Sequence, residues 1–279
     1  MIKLLILIFF ILLIIMSLLI NEQKTGGDDK QYMVWNHELE IYPSEMMHEC
    51  VKIVNSIDGF GMFTDKDLED MKNISKQLIK KYGVEITQHQ LNSIRNIELA
   101  EKSRKVFKNI FKVKENIKKD LENNMNILAI SEKYNIPPMQ IVKQFNLNEF
   151  FEKEDINSKY SGSVINKQAK TFEKQVEELL RKNNISFKTE DDFRNEKSQG
   201  LTPDFYFEIP LEINNTVIHW MDVKNYPMYD SPLLLTKVVN QIKKYTKEFG
   251  FGAVLFNGGV LKNSKIFHEN ALVLTIIFD

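Results

Sequence analysis

The sequence predicts a mixed α/β protein: a helical N-terminal domain followed by a C-terminal domain whose elements run α-β-β-β-α-β. Three observations predict it. Residues 32–151 carry apolar side chains at helical spacing, residues 160–279 mix amphipathic segments with short apolar runs, and the composition is globular, 43% hydrophobic and 27% charged. A length of 279 residues fits two domains of roughly 100–200 residues each. With 37 Lys+Arg against 38 Asp+Glu the net charge is −1, which excludes a wholesale polycation coating nucleic acid or anionic lipid. The single cysteine, Cys50, excludes an intrachain disulfide framework and a cysteine-rich zinc module, and fits a reducing compartment.

Residues 1–20 form a hydrophobic segment in which Leu4 to Ile20 is broken in polarity only by Ser17. At about 1.5 Å per residue that run reaches ~25 Å, marginal against a bilayer core of roughly 30 Å. Two readings stand side by side. One is an uncleaved membrane anchor with Lys3 and the α-amine on the cytosolic side, which would place the remainder beyond the membrane. The other is a start-site artefact, AT-rich sequence read as protein. No small-residue cleavage site follows the run, which argues against a secretory signal. Residues 21–31 read as a linker built around Thr25-Gly26-Gly27-Asp28-Asp29-Lys30.

In the helical domain, 32–151, Thr64-Asp65-Lys66-Asp67 reads as an N-cap with its acidic third residue. Leu68, Met71, Ile74 and Leu78 then give the helix one apolar stripe. Asp58, Asp65 and Asp67 lack the D-x-[DN]-x-[DN]-G spacing of a calcium loop, which leaves capping as the reading. Between 101 and 120, eight basic residues, Lys105, Lys108 and Lys112 among them, meet three acids, a local excess of five positive charges. A solvated helix face explains such a run by default; a phosphate-facing ridge explains it if a nucleic-acid site lies elsewhere in the chain.

Residues 127–147 predict a helix-turn-helix. Ile127, Leu128 and Ile130 start a short helix through Tyr134, Asn135-Ile136 interrupts it, and Pro137-Pro138 sets the first turn of a second helix. Ile141, Val142 and Phe145 supply that helix's buried face, leaving Met139, Gln140, Lys143 and Gln144 to face a DNA groove if the unit reads DNA. The same shape is also a common way to pack two helices.

The C-terminal domain, 160–279, begins with an amphipathic helix through Phe172, Val176, Leu179 and Leu180, ending at Asn183-Asn184. A strand from Ile185 to Thr189, a polar loop from Glu190 to Gly200, and strands Phe205 to Leu211 and Val217 to Asn225 follow. A helix from about Pro232 to Phe249 leads to the buried strands Gly252 to Phe256 and Ala271 to Phe278. Asp204, Asp222 and Lys224 flank one hairpin. A three-residue loop, Ile213-Asn214-Asn215, sets position 204 opposite 224 and puts all three on one face. A two-residue Asn214-Asn215 turn shifts the register by one and sends Asp222 to the other face, so convergence requires an odd-length loop or a bulge.

Two nearby carboxylates repel, and hard oxygen ligands suit Mg²⁺ or Mn²⁺. The five histidines, His37, His48, His89, His219 and His268, are scattered without zinc-site spacing. Lys224 would stand beside such a metal, able to stabilise charge on a phosphoryl oxygen or orient the attacking water. The constellation Pro203-Asp204 … Asp222-Val223-Lys224 resembles the PD-(D/E)xK nuclease superfamily, whose domain is a restriction-endonuclease-like αβββαβ core. Glu173 best matches that superfamily's glutamate on the preceding helix, with Glu177 the fallback, and Gln241-x-x-x-Tyr245 resembles a Q-x-x-x-Y extension of the RecB-like branch.

Thr202-Pro203-Asp204-Phe205, Val217-Ile218-His219-Trp220 running into the D-x-K, and Gln241 … Tyr245 … Phe249-Gly250-x-Gly252 are similar to the codanin-interacting nuclease family, a TPD-motif domain. That family also has a helix-turn-helix with an Ile-Pro-Pro turn, as at Ile136-Pro137-Pro138. Two departures stand out: Asp222 replaces a more usual Glu, and the hydrophobic N-terminus is not a family feature. The resemblance implies a Mg²⁺-dependent nuclease acting on DNA with a codanin-like partner, in nucleus or cytoplasm. It implies Asp204 and Asp222 as metal ligands, the Val223 carbonyl and Glu173 completing the shell, Lys224 assisting water attack, and Gln241 and Tyr245 orienting DNA or water. A non-catalytic DNA-binding adaptor on the same core is the second expectation, with a membrane-anchored protein the third.

Overall fold

A computed structural model describes residues 30–56, 65–136, 138–147, 162–196 and 200–278. The hydrophobic run 4–20, the linker before Lys30, the Thr64 cap and the Pro137 ring lie outside the described residues. In chain order come β1 (Gln31–Met33), β2 (Ile41–Tyr42), α1 (Ser44–Ser56), α2 (Asp65–Tyr82) and α3 (Gln88–Glu122). There follow α4 (Ile127–Tyr134), α5 (Pro138–Phe145), α6 (Gly162–Lys182), β3 (Lys188–Thr189) and α7 (Glu190–Glu196). The chain closes with β4 (Phe205–Ile213), β5 (Thr216–Lys224), α8 (Pro232–Phe249), β6 (Gly252–Asn257), β7 (Val260–Leu261), a short 3₁₀ turn, and β8 (Ala271–Ile276).

Among the described residues one sheet runs β1-β4-β5-β6-β8, with β3 added on β4. The β4–β5 pair is antiparallel, while β5–β6 and β6–β8 are parallel. The two parallel connections need crossovers, and α8 supplies the first. Both sheet faces are covered. On one, Phe172, Val176 and Leu180 of α6 pack with Phe205, Phe207, Ile218, Met221 and Leu255. On the other, Val238, Ile242 and Tyr245 of α8 pack with Trp220, Val254 and Phe256, and Met46, Cys50, Met71, Leu91 and Ile94 of α1 to α3 join the same cluster. That burial on both sides explains the unbroken apolar run of β6. Gly252 is required where it stands: a Cβ there would overlap the Trp220 indole.

The hairpin differs in its turn from the three-residue loop read from sequence. Asn214 and Asn215 form a two-residue turn, both with positive φ (47° and 67°), and Ile213 pairs Thr216. Taken alone, that register would separate the two aspartates. A bulge corrects it: Leu211 pairs Ile218 but Tyr206 pairs Trp220, so residues 207–210 of β4 oppose His219 alone. Pro210, which cannot donate to a ladder, sits inside this irregularity.

Two further expectations are corrected. The strand expected from Ile185 shrinks to Lys188–Thr189, because Ile185 turns into the core beside α6. The polar loop at 190–200 contains α7, whose first turn holds Glu190, Asp191 and Asp192 at the positive end of the helix. Thr189 and Asp192 hydrogen-bond reciprocally across that start. Two short strands, β1 and β2, also lie in a segment read as helical; β1 pairs β4 and β2 pairs β7.

The two short helices at 127–145 lie where the spacing predicts them. Asn126 caps α4 by accepting from the Leu128 N–H, and Asn135 ends it in the left-handed conformation (φ 53°). Ile117 of α3 packs with Ile127, Ile130, Ile136, Ile141 and Val142 in a separate small core.

Candidate active site

The site forms where β4 begins and β5 ends. Beyond the bulge the register is Tyr206 with Trp220 and Phe205 with Met221, which carried one step further sets Asp204 opposite Asp222. Asp204 Oδ2 accepts from the backbone N–H of Val223 at 2.6 Å, fastening the start of one strand to the end of the other. Lys224, two residues on from Asp222, lies on the same face of β5 and pairs with Asp222 Oδ2. This ion pair is shut away from water, its side chains 12% and 3% exposed.

From α8, Gln241 Nε2 donates to Asp222 Oδ1 at 3.0 Å and lies 3.1 Å from the Tyr245 hydroxyl. That hydroxyl donates to the Thr202 carbonyl at 2.8 Å. The four-residue spacing puts both side chains on one helix face. Thr202-Pro203-Asp204 is thereby pinned at both ends.

Burial first, and the charge of Asp222 second, push the Asp204 carboxyl well above the usual carboxylate range. Burial pulls the Lys224 ammonium down, but Asp222, Tyr226 and Asp204 outweigh it and hold Lys224 above its ordinary value. The Tyr245 hydroxyl is pushed up to about 12, chiefly by burial.

Glu173 on α6 stands half-buried beside α7, its carboxyl raised by burial and then by Glu190. Its charge reaches Asp204 as a minor influence. Glu177, the fallback, is tied to Arg181. Among the described residues no group of three or more His, Cys, Asp or Glu side chains could hold a metal ion. The donors that could share one are therefore Asp204 and Asp222. They fit a hard divalent cation: both are carboxylates, they are adjacent with Asp222 buried and Asp204 half-buried, and the like-charge pressure on Asp204 is what a cation would relieve.

The other sequence candidates lie elsewhere. Lys105 and Lys112 are exposed on α3, and the Lys108 side chain is outside the described residues. On α5, Lys143 is exposed and Gln144 half-buried. Gln140 differs from the exposed position expected: it is half-buried, and its Oε1 is buried without a hydrogen-bond partner among the described residues. Sequence reasoning missed Tyr226, half-buried with its hydroxyl enclosed and pushed up to about 12 by burial. It also missed a chain of contacts beside it, in which His89 Nε2 lies 3.1 Å from Asn225 Oδ1 and Asn257 Nδ2 donates to the same oxygen at 2.7 Å. A side-chain network between helix and strand ends leaves no periodic trace.

Fold and site together describe an α/β domain with two adjacent carboxylates and a lysine at one hairpin end. A family model described as "Protein of unknown function TPD sequence-motif" matches residues 140–277, a span that contains Thr202-Pro203-Asp204. The chain is 27% identical over 267 residues to "Uncharacterized protein L539" of Acanthamoeba polyphaga mimivirus, covering 87% of this chain and 94% of that protein. It is 30% identical over 103 residues to "CDAN1-interacting nuclease 1" of Mus musculus, 37% of this chain and 36% of that protein. To the protein of the same name from Xenopus laevis it is 28% identical over 123 residues, 43% of this chain and 40% of that one. The matches thus span well under half of those two nucleases. They link the chain to the TPD-motif family model and, weakly, to proteins named as nucleases. No solved structure matches. Among the described residues no helix is long and apolar enough to cross a membrane.

Proposed function

We propose that this chain is a metal-dependent nuclease that hydrolyses phosphodiester bonds of DNA. The observation that carries the reading is the adjacency of Asp204 and Asp222 with Lys224 held against Asp222. Asp204 and Asp222 would hold a Mg²⁺ or Mn²⁺ ion, with the Val223 carbonyl and Glu173 completing its surroundings. Bound there, such an ion supplies Lewis-acid polarisation of a phosphoryl oxygen and a more acidic water. Lys224, kept charged by its carboxylate neighbours, would neutralise charge building on the phosphoryl group and orient the attacking water. Gln241 holds Asp222 in orientation, and Tyr245, through Thr202, holds the backbone that presents Asp204. A codanin-like partner is carried over from the animal relatives' printed name.

One observation favours a second reading. Both oxygens of Asp222 already have partners, Lys224 and Gln241, as a purely structural network would have. On that reading the chain is a DNA-binding adaptor, with the exposed lysines of α3 and the α4–α5 unit making the contacts. Full-length protein with Mn²⁺ and end-labelled DNA separates the two. Cleavage lost in Asp222→Asn supports the nuclease; DNA binding with no cleavage in any variant supports the adaptor.

A further inference from the structure

Beside the carboxylate pair lies a cavity of about 250 Å³ that shares Val223 and Lys224 with the site described above. Its walls come from the first turns of α3, from α6 and α8, and from the residues that follow Asp222. His89, Asn92, Ser93 and Asn96 line it from α3, while Lys224 and Lys237 bring the charge. Among the described residues no carboxylate lines it. By contrast, the cavity between α1 and α8 has Glu98, Glu101 and Asp230 in its wall, and the one beside α7 has Glu173 and Glu190. Neutral hydrogen-bonding side chains with the exposed Lys237 ammonium, the Lys224 charge being met by Asp222, select a ligand with polar edges and negative charge.

A second observation bears on the same walls. Asn92 Oδ1 and the Tyr226 hydroxyl, both from residues lining this cavity, are buried with no hydrogen-bond partner among the described residues. Leaving such groups unpaired costs about 1–3 kcal/mol each; both atoms lie just beneath the cavity wall, so a polar ligand relieves that cost only where the Asn92 or Tyr226 side chain turns to meet it. Asn92 and Asn96 are four residues apart on α3 and so present their amides on one helix face. Amides of this kind read the hydrogen-bonding edges of bases.

We infer that this cavity binds one unpaired nucleotide adjoining the bond to be cut, so that the substrate is single-stranded DNA or a single-stranded overhang. The inference rests on the nuclease reading for its orientation: Lys224 belongs to both sites, so a nucleotide held here lies beside the lysine that pairs with Asp222. A paired base offers its edges to its complement and cannot enter a space of this size without leaving the duplex. From the cavity, α3 continues without a break to the exposed Lys105 and Lys112, which would track the backbone of the emerging strand as a cationic groove does.

The test is fluorescence anisotropy of the full-length protein with 5′-fluorescein oligonucleotides in EDTA, where no cleavage interferes. Single strands and overhangs should bind at least about tenfold more tightly than blunt duplex of equal length, the discrimination expected from a few base-edge hydrogen bonds. Asn92→Ala and Asn96→Ala should each weaken single-strand binding about three- to tenfold and leave duplex binding unchanged. Lys237→Ala changes an exposed side chain and leaves the fold intact; it should weaken single-strand binding and lower its salt slope by about one. Equal affinity for single strand and blunt duplex, or single-strand binding indifferent to all three substitutions, overturns the inference while leaving the nuclease reading standing. Absence of cleavage of any DNA with Mn²⁺ overturns the nuclease reading, and with it the placement beside a bond to be cut, while the anisotropy arm still decides whether the cavity holds an unpaired nucleotide.

Discussion

The carboxylate of Asp204 accepts a hydrogen bond from the backbone of Val223 at 2.6 Å, between Asp222 and Lys224. One acidic side chain is thus latched to the strand that carries the other acid and the lysine. The contact exists only because the hairpin slips between Leu211 and Tyr206.

Asp204→Asn keeps an oxygen that can accept from Val223 while removing a charge that burial and Asp222 disfavour. The variant should melt no lower than the parent by differential scanning fluorimetry. On the proposed nuclease function, cleavage of DNA should fall by at least about a hundredfold, the scale of losing one charge-stabilising group in an active site.

Lys224→Met leaves Asp222 buried with only Gln241 to satisfy it. Urea denaturation should show a loss of about 3–5 kcal/mol. The double variant Asp222→Asn/Lys224→Met removes both charges and should recover a large part of that loss. A double variant as unstable as the single one would show that the pair does not stabilise through mutual charge compensation.

How much of this was legible differs from element to element. Helix α8 was predictable to its ends, since Ser231 caps it, Pro232 opens it and Gly250 closes it. The helices α4 and α5 were equally clear from Asn135 and the prolines. Strands β1 and β2 were invisible because two or three residues pairing distant segments leave no period. The residues of the site could be named from Thr202-Pro203-Asp204, the D-x-K and Gln241 … Tyr245. Their convergence could be stated only as a requirement for an odd loop or a bulge, because register depends on hydrogen bonding that sequence does not display. The cavity lined by Asn92 and Asn96 was beyond reach, since it depends on where α3 lies against the end of β5.

Gly252→Ala should be among the most damaging small substitutions in the sheet. The added methyl meets the Trp220 ring, whose Nε1 donates to the Gly250 carbonyl and holds it in place. A loss of about 1–3 kcal/mol is expected from such overpacking, measured by urea denaturation.

Cys50 is fully buried, and burial pushes its thiol up to about 12. The folded state therefore favours the protonated thiol over a wider range than the unfolded chain. Stability from this group is complete below the ordinary thiol value near 9.0 and declines as pH rises from there towards 12. At pH 8, Ellman's reagent should leave Cys50 untouched in native protein and modify it in urea. Rapid native labelling at pH 8 would contradict that burial.

The measurement that bears most directly on the metal-dependent reading is anomalous scattering from a crystal soaked in Mn²⁺. A peak bridged by the carboxylates of Asp204 and Asp222, and absent in Asp222→Asn, is the expected result. An empty position between them, with Mn²⁺ ordered elsewhere on the chain, would contradict it.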